Sequence, residues 1–210
     1  MRIVIARAPV LRLLRWTRRG LLAAGVSLLA YCGFVLVDAW SFQERADRQL
    51  ERWLANRQAA NGGVRQVASP ASPKTLPQVA SGGLIGRIEI PRLGVSVIVM
   101  EGTSAKTLRR AVGHIAGTAL PGEPGNVGVS GHRDTFFRPL RNIRPGDVIT
   151  LTTLPGEYRY RVVSAKVVRP DDVAVLDGGG GEILTLVTCY PFYYVGPAPS
   201  RFIVRAERVE

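Results

Sequence analysis

Apolar positions along this 210-residue chain follow two periods, and the change of period divides it. Gly20 to Val37 is eighteen residues without a charge, GLLAAGVSLLAYCGFVLV. At about 1.5 Å per residue that makes about 27 Å of helix, the depth of a hydrocarbon core. The next stretch, 38–60, is charged and helix-favouring, with Phe42, Ala46, Leu50, Trp53 and Leu54 at helical spacing. It predicts a juxtamembrane helix that is a stalk or lies on the lipid surface. From 61 to 83 the residues turn to Gly, Ser, Pro and Gln, a composition that buries little apolar surface and predicts a flexible tether.

Beyond Leu84 the period shortens to two. Short runs at 84–90, 95–100, 126–130, 147–152, 157–163, 166–169, 183–189 and 201–208 alternate or are continuously apolar. Gly, Pro and Asp punctuate them, as in Pro121-Gly122, Pro145-Gly146-Asp147 and Pro155-Gly156. One helix is predicted over 104–112, with Thr103 or Ser104 as its N-cap, and one further turn at 136–140. About eight strands in roughly 125 residues predict a mainly β domain, a small closed barrel over 84–210.

Charge changes this picture at one end only. The formal net charge is +12, yet residues 1–19 hold six arginines and no acid. Residues 84–210 carry 16 Lys and Arg against 12 Asp and Glu, a net of +4. A nucleic-acid binder would place its basic patch on the folded domain, so that class is excluded. A basic tail before an apolar span instead predicts a single-pass anchor with its N-terminus in the cytoplasm and residues after Asp38 outside. A cleaved signal peptide is the competing reading, with Val37-Asp38-Ala39 as its site, but eighteen apolar residues is long for such a core. A lipoprotein is excluded because Tyr31 precedes Cys32, where a small residue belongs.

Two cysteines remain, Cys32 in the span and Cys189 at the end of a strand. Lying in different compartments, they form no disulfide with each other, which leaves an unpaired thiol outside the cytoplasm. In Leu184-Thr185-Leu186-Val187-Thr188-Cys189, alternation puts the leucines on one face and Cys189 on the other. In the last run, Phe202 and Val204 share the face opposite Arg201. If the leucines, Phe202 and Val204 point inward and the two strands pair antiparallel, Cys189 and Arg201 face outward at one end of the barrel. Gly131-His132-Arg133-Asp134 supplies an imidazole, and a thiol, an imidazole and a guanidinium are the parts of a cysteine acyl-transfer site.

The membrane span, the β-rich domain, Gly-His-Arg-Asp, Thr-Leu-Val-Thr-Cys and an Arg opening an apolar strand together resemble the sortase family. Ala119-Leu120-Pro121-Gly122 and Cys189-Tyr190-Pro191-Phe192 resemble its class D or class E-like branch. The resemblance implies a membrane-anchored cysteine transpeptidase of the bacterial envelope, working without a cofactor or metal. Its implied partners are a protein bearing an LPxTG-like sorting signal and an amine acceptor on an envelope component or pilin. It assigns Cys189 as nucleophile, His132 as proton carrier and Arg201 as the group holding the substrate backbone or oxyanion. Thr188 and His114 are carried as substrate-binding positions, although alternation turns Thr188 inward. His114 is also the rival for the imidazole role. Two other classes stay open: a zinc hydrolase using His114, His132 and Cys189 as ligands, and a tethered binding module in which Cys189 only packs.

Overall fold

The computed structural model describes residues 7–62 and 80–209. Most of the expected tether lies outside the described residues. A helix α1 covers Arg7–Gly62, and the chain divides into two units between Ser41 and Phe42. In the first unit the helix is long and apolar enough to cross a membrane, and its most apolar window has no buried residue. Leu21, Leu29, Phe34 and Leu36 are all exposed.

The second unit is the barrel with the remainder of α1. Its strands are β1 (Leu84–Ile90), β2 (Val95–Glu101), β3 (Val112–His114), β4 (Gly125–Ser130), β5 (Val148–Thr153), β6 (Glu157–Val168), β7 (Glu182–Tyr190) and β8 (Ser200–Val209). They close in the order β1-β2-β3-β4-β7-β8-β6-β5. The pairings β2–β3 and β4–β7 are parallel, and the other six are antiparallel. One buried cluster fills the interior, with Ile88, Val129, Phe137, Leu151, Leu184 and Val204 each fully enclosed. Apart from register shifts in β1 and β6, inward residues alternate with outward ones along the strands, which is how a barrel this small is filled by its own side chains.

Eight strands were expected and eight form, but through two offsetting differences. The runs expected at 157–163 and 166–169 merge into one strand, β6, which ends at Val168 and whose pairing with β8 shifts register between Val162 and Ser164. Such a bulge breaks alternation without ending the strand. Conversely, β3 is a three-residue strand within and just past the region expected to be helical. The helix itself, α2, is shorter (Ala105–Arg110), with Ser104 as N-cap accepting a hydrogen bond from the Thr107 N–H. The turn expected at 136–140 is a 3-10 helix at Arg138–Asn142.

The helix past Phe42 packs on the barrel, a contact that its reading as a stalk or a lipid-surface helix does not include. Ala46 and Leu50 are buried, Leu50 completely, and Ala46 joins Ile98 and Ala111 in a second apolar cluster. Asp47 and Glu51 both pair with Arg87 on β1. Gln43 accepts from the Ile98 N–H at 2.9 Å and donates to the Arg110 carbonyl at 2.6 Å. β3 pairs only with Val99, Met100 and Glu101, so Ile98 has no strand partner on that side. Gln43 stands in for the missing ladder bond.

Candidate active site

The antiparallel pairing of β7 with β8 makes Cys189 and Arg201 direct Cα partners. Leu184, Leu186 and Val204 are buried in the core, whereas Cys189 and Arg201 are partly exposed. The condition set by alternation is therefore met. The Cys189 sulfur is a free thiol outside the core, not a packing group within it.

His132 reaches the same place by another route. β4 runs parallel to β7, with Ser130 opposite Val187, so the residues just past β4 lie beside the last residues of β7. The junction is stapled on both sides. The Gly131 N–H donates to the Val187 carbonyl at 3.1 Å, and the Thr188 hydroxyl donates to the Gly131 carbonyl at 2.7 Å. Only glycine fits at 131, since a Cβ there would stand 2.6 Å from the Phe137 ring. His132, next in the chain, projects from this junction and is exposed.

A cavity of about 360 Å³ opens where these elements meet. His132, Arg133, Asp134, Cys189 and Arg201 line it, together with Gly196, Pro197 and Ala198 from the β7–β8 loop. Arg201 Nη1 donates to the carbonyls of Ala198 at 3.3 Å and Ser200 at 3.1 Å. An aromatic cluster of Tyr190, Phe192 and Phe202 flanks the strand ends, with the Phe192 and Phe202 centroids 5.3 Å apart. Thiol, imidazole and guanidinium thus share one wall, an arrangement able to attack a carbonyl, hold the resulting oxyanion and move a proton.

The other two sequence candidates lie elsewhere. Thr188 is buried, and its hydroxyl is used in fixing Gly131, so it does not line the groove. The alternation of β7 makes this unavoidable. His114 is also buried, with both ring nitrogens engaged: Nδ1 with Glu101 at 2.8 Å, and Nε2 with the Thr118 hydroxyl at 2.9 Å and the Ala119 carbonyl at 3.0 Å. It is not part of the cavity. A zinc site built from His114, His132 and Cys189 is therefore not assembled, and among the described residues no three His, Cys, Asp or Glu side chains are grouped to hold an ion. Arg133 and the loop residues 196–198 went unassigned from sequence, because the parallel β4–β7 pairing that brings them together leaves no local signal.

The closed barrel with a strand-end thiol opposite an arginine defines a cysteine acyl-transfer enzyme. The Sortase domain model matches residues 88–209, and the chain belongs to the sortase family. It is 35% identical to Sortase D of Bacillus subtilis over 90% of this chain and 96% of that one. With Sortase SrtE1 of Streptomyces coelicolor it is 33% identical over 84% of this chain and 53% of that one. The solved Sortase D5 transpeptidase of Clostridium perfringens superposes with a TM-score of 0.64 at 26% identity, covering 81% of this chain and 99% of that one. The protein is a cysteine transpeptidase, and its family acts on sorting-signal proteins and amine acceptors.

Proposed function

We propose that the chain is a membrane-anchored sortase that cuts an LPxTG-like sorting signal and joins the new carboxyl group to an amine at the cell envelope. Cys189 Sγ attacks the Thr carbonyl of the signal, and Arg201 holds the oxyanion that forms. The Thr–Gly C–N bond then breaks, His132 gives its proton to the departing amine, and a thioester remains on Cys189. An acceptor amine attacks that thioester, His132 takes the amine's proton, and the C–S bond breaks to restore the thiolate. The new amide replaces the one that was cut, so no oxidant or nucleotide is consumed.

The observation that carries this reading is the pairing of Cys189 with Arg201 across β7 and β8, with His132 on the same cavity. The uncharged helical stretch at 20–37, preceded by arginines, supports a single crossing with the N-terminus inside and the barrel outside the cytoplasmic membrane. The test is to incubate the solubilised full chain with a Leu-Pro-x-Thr-Gly peptide and an amine, and to follow the enzyme by mass spectrometry. A thioacyl adduct on Cys189 and a ligated product, both absent from Cys189→Ala, are the expected result. Cleavage that persists in Cys189→Ala, or no adduct across a panel of sorting peptides, would overturn it.

A further inference from the structure

Arg133 follows His132 in the chain and lines the cavity, yet the scheme above gives it no task. Its guanidinium crosses to the β7–β8 loop, where Nη2 donates to the carbonyls of Tyr194 at 2.7 Å and Gly196 at 3.0 Å. The guanidinium carbon also lies 5.8 Å from the centroid of the Tyr194 ring. Segments about sixty residues apart in sequence are thereby joined by one side chain.

The two segments are unequally anchored. The turn that carries Arg133 is fixed by Thr188, by the Gly131–Val187 bond and by a Phe137 N–H bond to the His132 carbonyl at 3.1 Å, with Phe137 itself buried. The loop, in contrast, exposes Tyr193, Tyr194 and Val195, the last by 95%. Its own backbone contributes one long bond, from the Tyr194 N–H to the Pro191 carbonyl at 3.3 Å. Segments with few buried contacts open most readily, so the turn is the post and the loop is the part it holds. The loop in turn carries Ala198, whose carbonyl accepts from Arg201.

We infer that Arg133 is a positioning residue that clamps the β7–β8 loop over the cavity and, through Ala198, sets where the Arg201 guanidinium stands. Hydrogen bonds from a charged donor to two carbonyls are among the stronger ones available at a surface. Against this, Nη1 of Arg133 is buried without a partner among the described residues, which costs free energy. The clamp therefore contributes little net stability to the barrel, and its effect falls on the loop. This inference rests on the proposed role of Arg201, so its test needs a readout that does not depend on turnover.

The full chain, solubilised in detergent, is compared as wild type, Arg133→Ala and Arg133→Lys. Hydrogen exchange is followed at the Tyr194 amide, and kcat and KM are measured with a Leu-Pro-x-Thr-Gly peptide. In Arg133→Ala the Tyr194 amide, the loop N–H that is hydrogen-bonded, is expected to exchange about tenfold faster, the equivalent of one lost charge-assisted bond. kcat should fall about tenfold while KM stays within about threefold, because a displaced Arg201 holds less well an oxyanion that exists only in the transition state. Lysine keeps the charge without the fork and should restore part of both effects. Unchanged exchange in Arg133→Ala overturns the clamp, and so does a rise in KM with kcat unchanged. If the wild type cleaves no sorting peptide, the proposed function fails, and loop exchange alone still decides the clamp.

Discussion

The molecule contains two Gly-His pairs on neighbouring strands, and they end in opposite circumstances. Gly113-His114 closes β3 and Gly131-His132 follows β4, with Gly113 directly opposite Ser130 in the ladder. His114 is buried, and each of its ring nitrogens has a partner. His132 is exposed on a cavity that also holds a thiol and an arginine. A histidine whose two nitrogens are both committed cannot carry a proton to and from a substrate. Chemistry needs a ring with a free nitrogen facing open space, and stability needs the reverse. The difference between the two comes from burial, since the local sequence is the same dipeptide.

The sharpest way to break this contrast is at the thiol that defines the open end. Cys189→Ala should abolish transpeptidation, measured as ligated product, with the melting temperature nearly unchanged. His132→Ala should lower kcat by about 10²–10⁴-fold, the usual range for removing a proton carrier, again with an intact fold by circular dichroism. If His132→Ala kept near-normal turnover, the contrast would collapse. His114→Ala should do the opposite. It strips the Glu101 carboxylate of its partner at a site where that side chain is only 15% exposed. A loss of about 2–3 kcal/mol in denaturant unfolding is expected, with kcat within about threefold of wild type.

Removing the docked helix probes the closed region more broadly. A chain starting at residue 63 loses the burial of Leu50, about 2 kcal/mol, and both Gln43 hydrogen bonds, about 1 kcal/mol each, relative to one starting at Phe42. Equal melting temperatures for the two fragments would show that the helix is dispensable. The smallest effect is expected at Asp147, a second closed site. A hydrogen bond from Arg92, reinforced by one from the Arg144 N–H, holds its carboxyl below its ordinary value of 3.8, against the opposing effect of burial. The folded protein thus binds that proton less readily than the unfolded chain. Its contribution is complete above about pH 4 and is lost as pH falls through the lowered value. Asp147→Asn should flatten the acid limb of the stability profile and leave the neutral region less altered.

Much of this contrast could be read from the chain, and what could not has a common cause. Alternation in 184–189 and 201–205 was enough to turn Cys189 and Arg201 to the same face, because both strands are long and one face is continuously apolar. The same alternation turned Thr188 inward, away from any groove. Residues 112–114 gave no strand signal, since three residues buried without alternation show no period. The bulge after Val162 split one strand into two apparent runs for the same reason. The neighbourhood of Arg133 was invisible because the β4–β7 pairing is parallel and joins residues nearly sixty positions apart. The docking of α1 was hidden because its apolar positions suit a lipid surface and a barrel wall equally well. Period reports which face is apolar, and it says nothing about what covers that face.

The amide of Gln43 fills one rung beside Ile98 where β3 is too short to reach. A fragment lacking it would present bare main-chain donors and acceptors along residues 95–98, a template on which a second molecule could add a strand. Dimers and larger aggregates that grow with concentration, and vanish when the missing helix is supplied, would be the signature of that open seam.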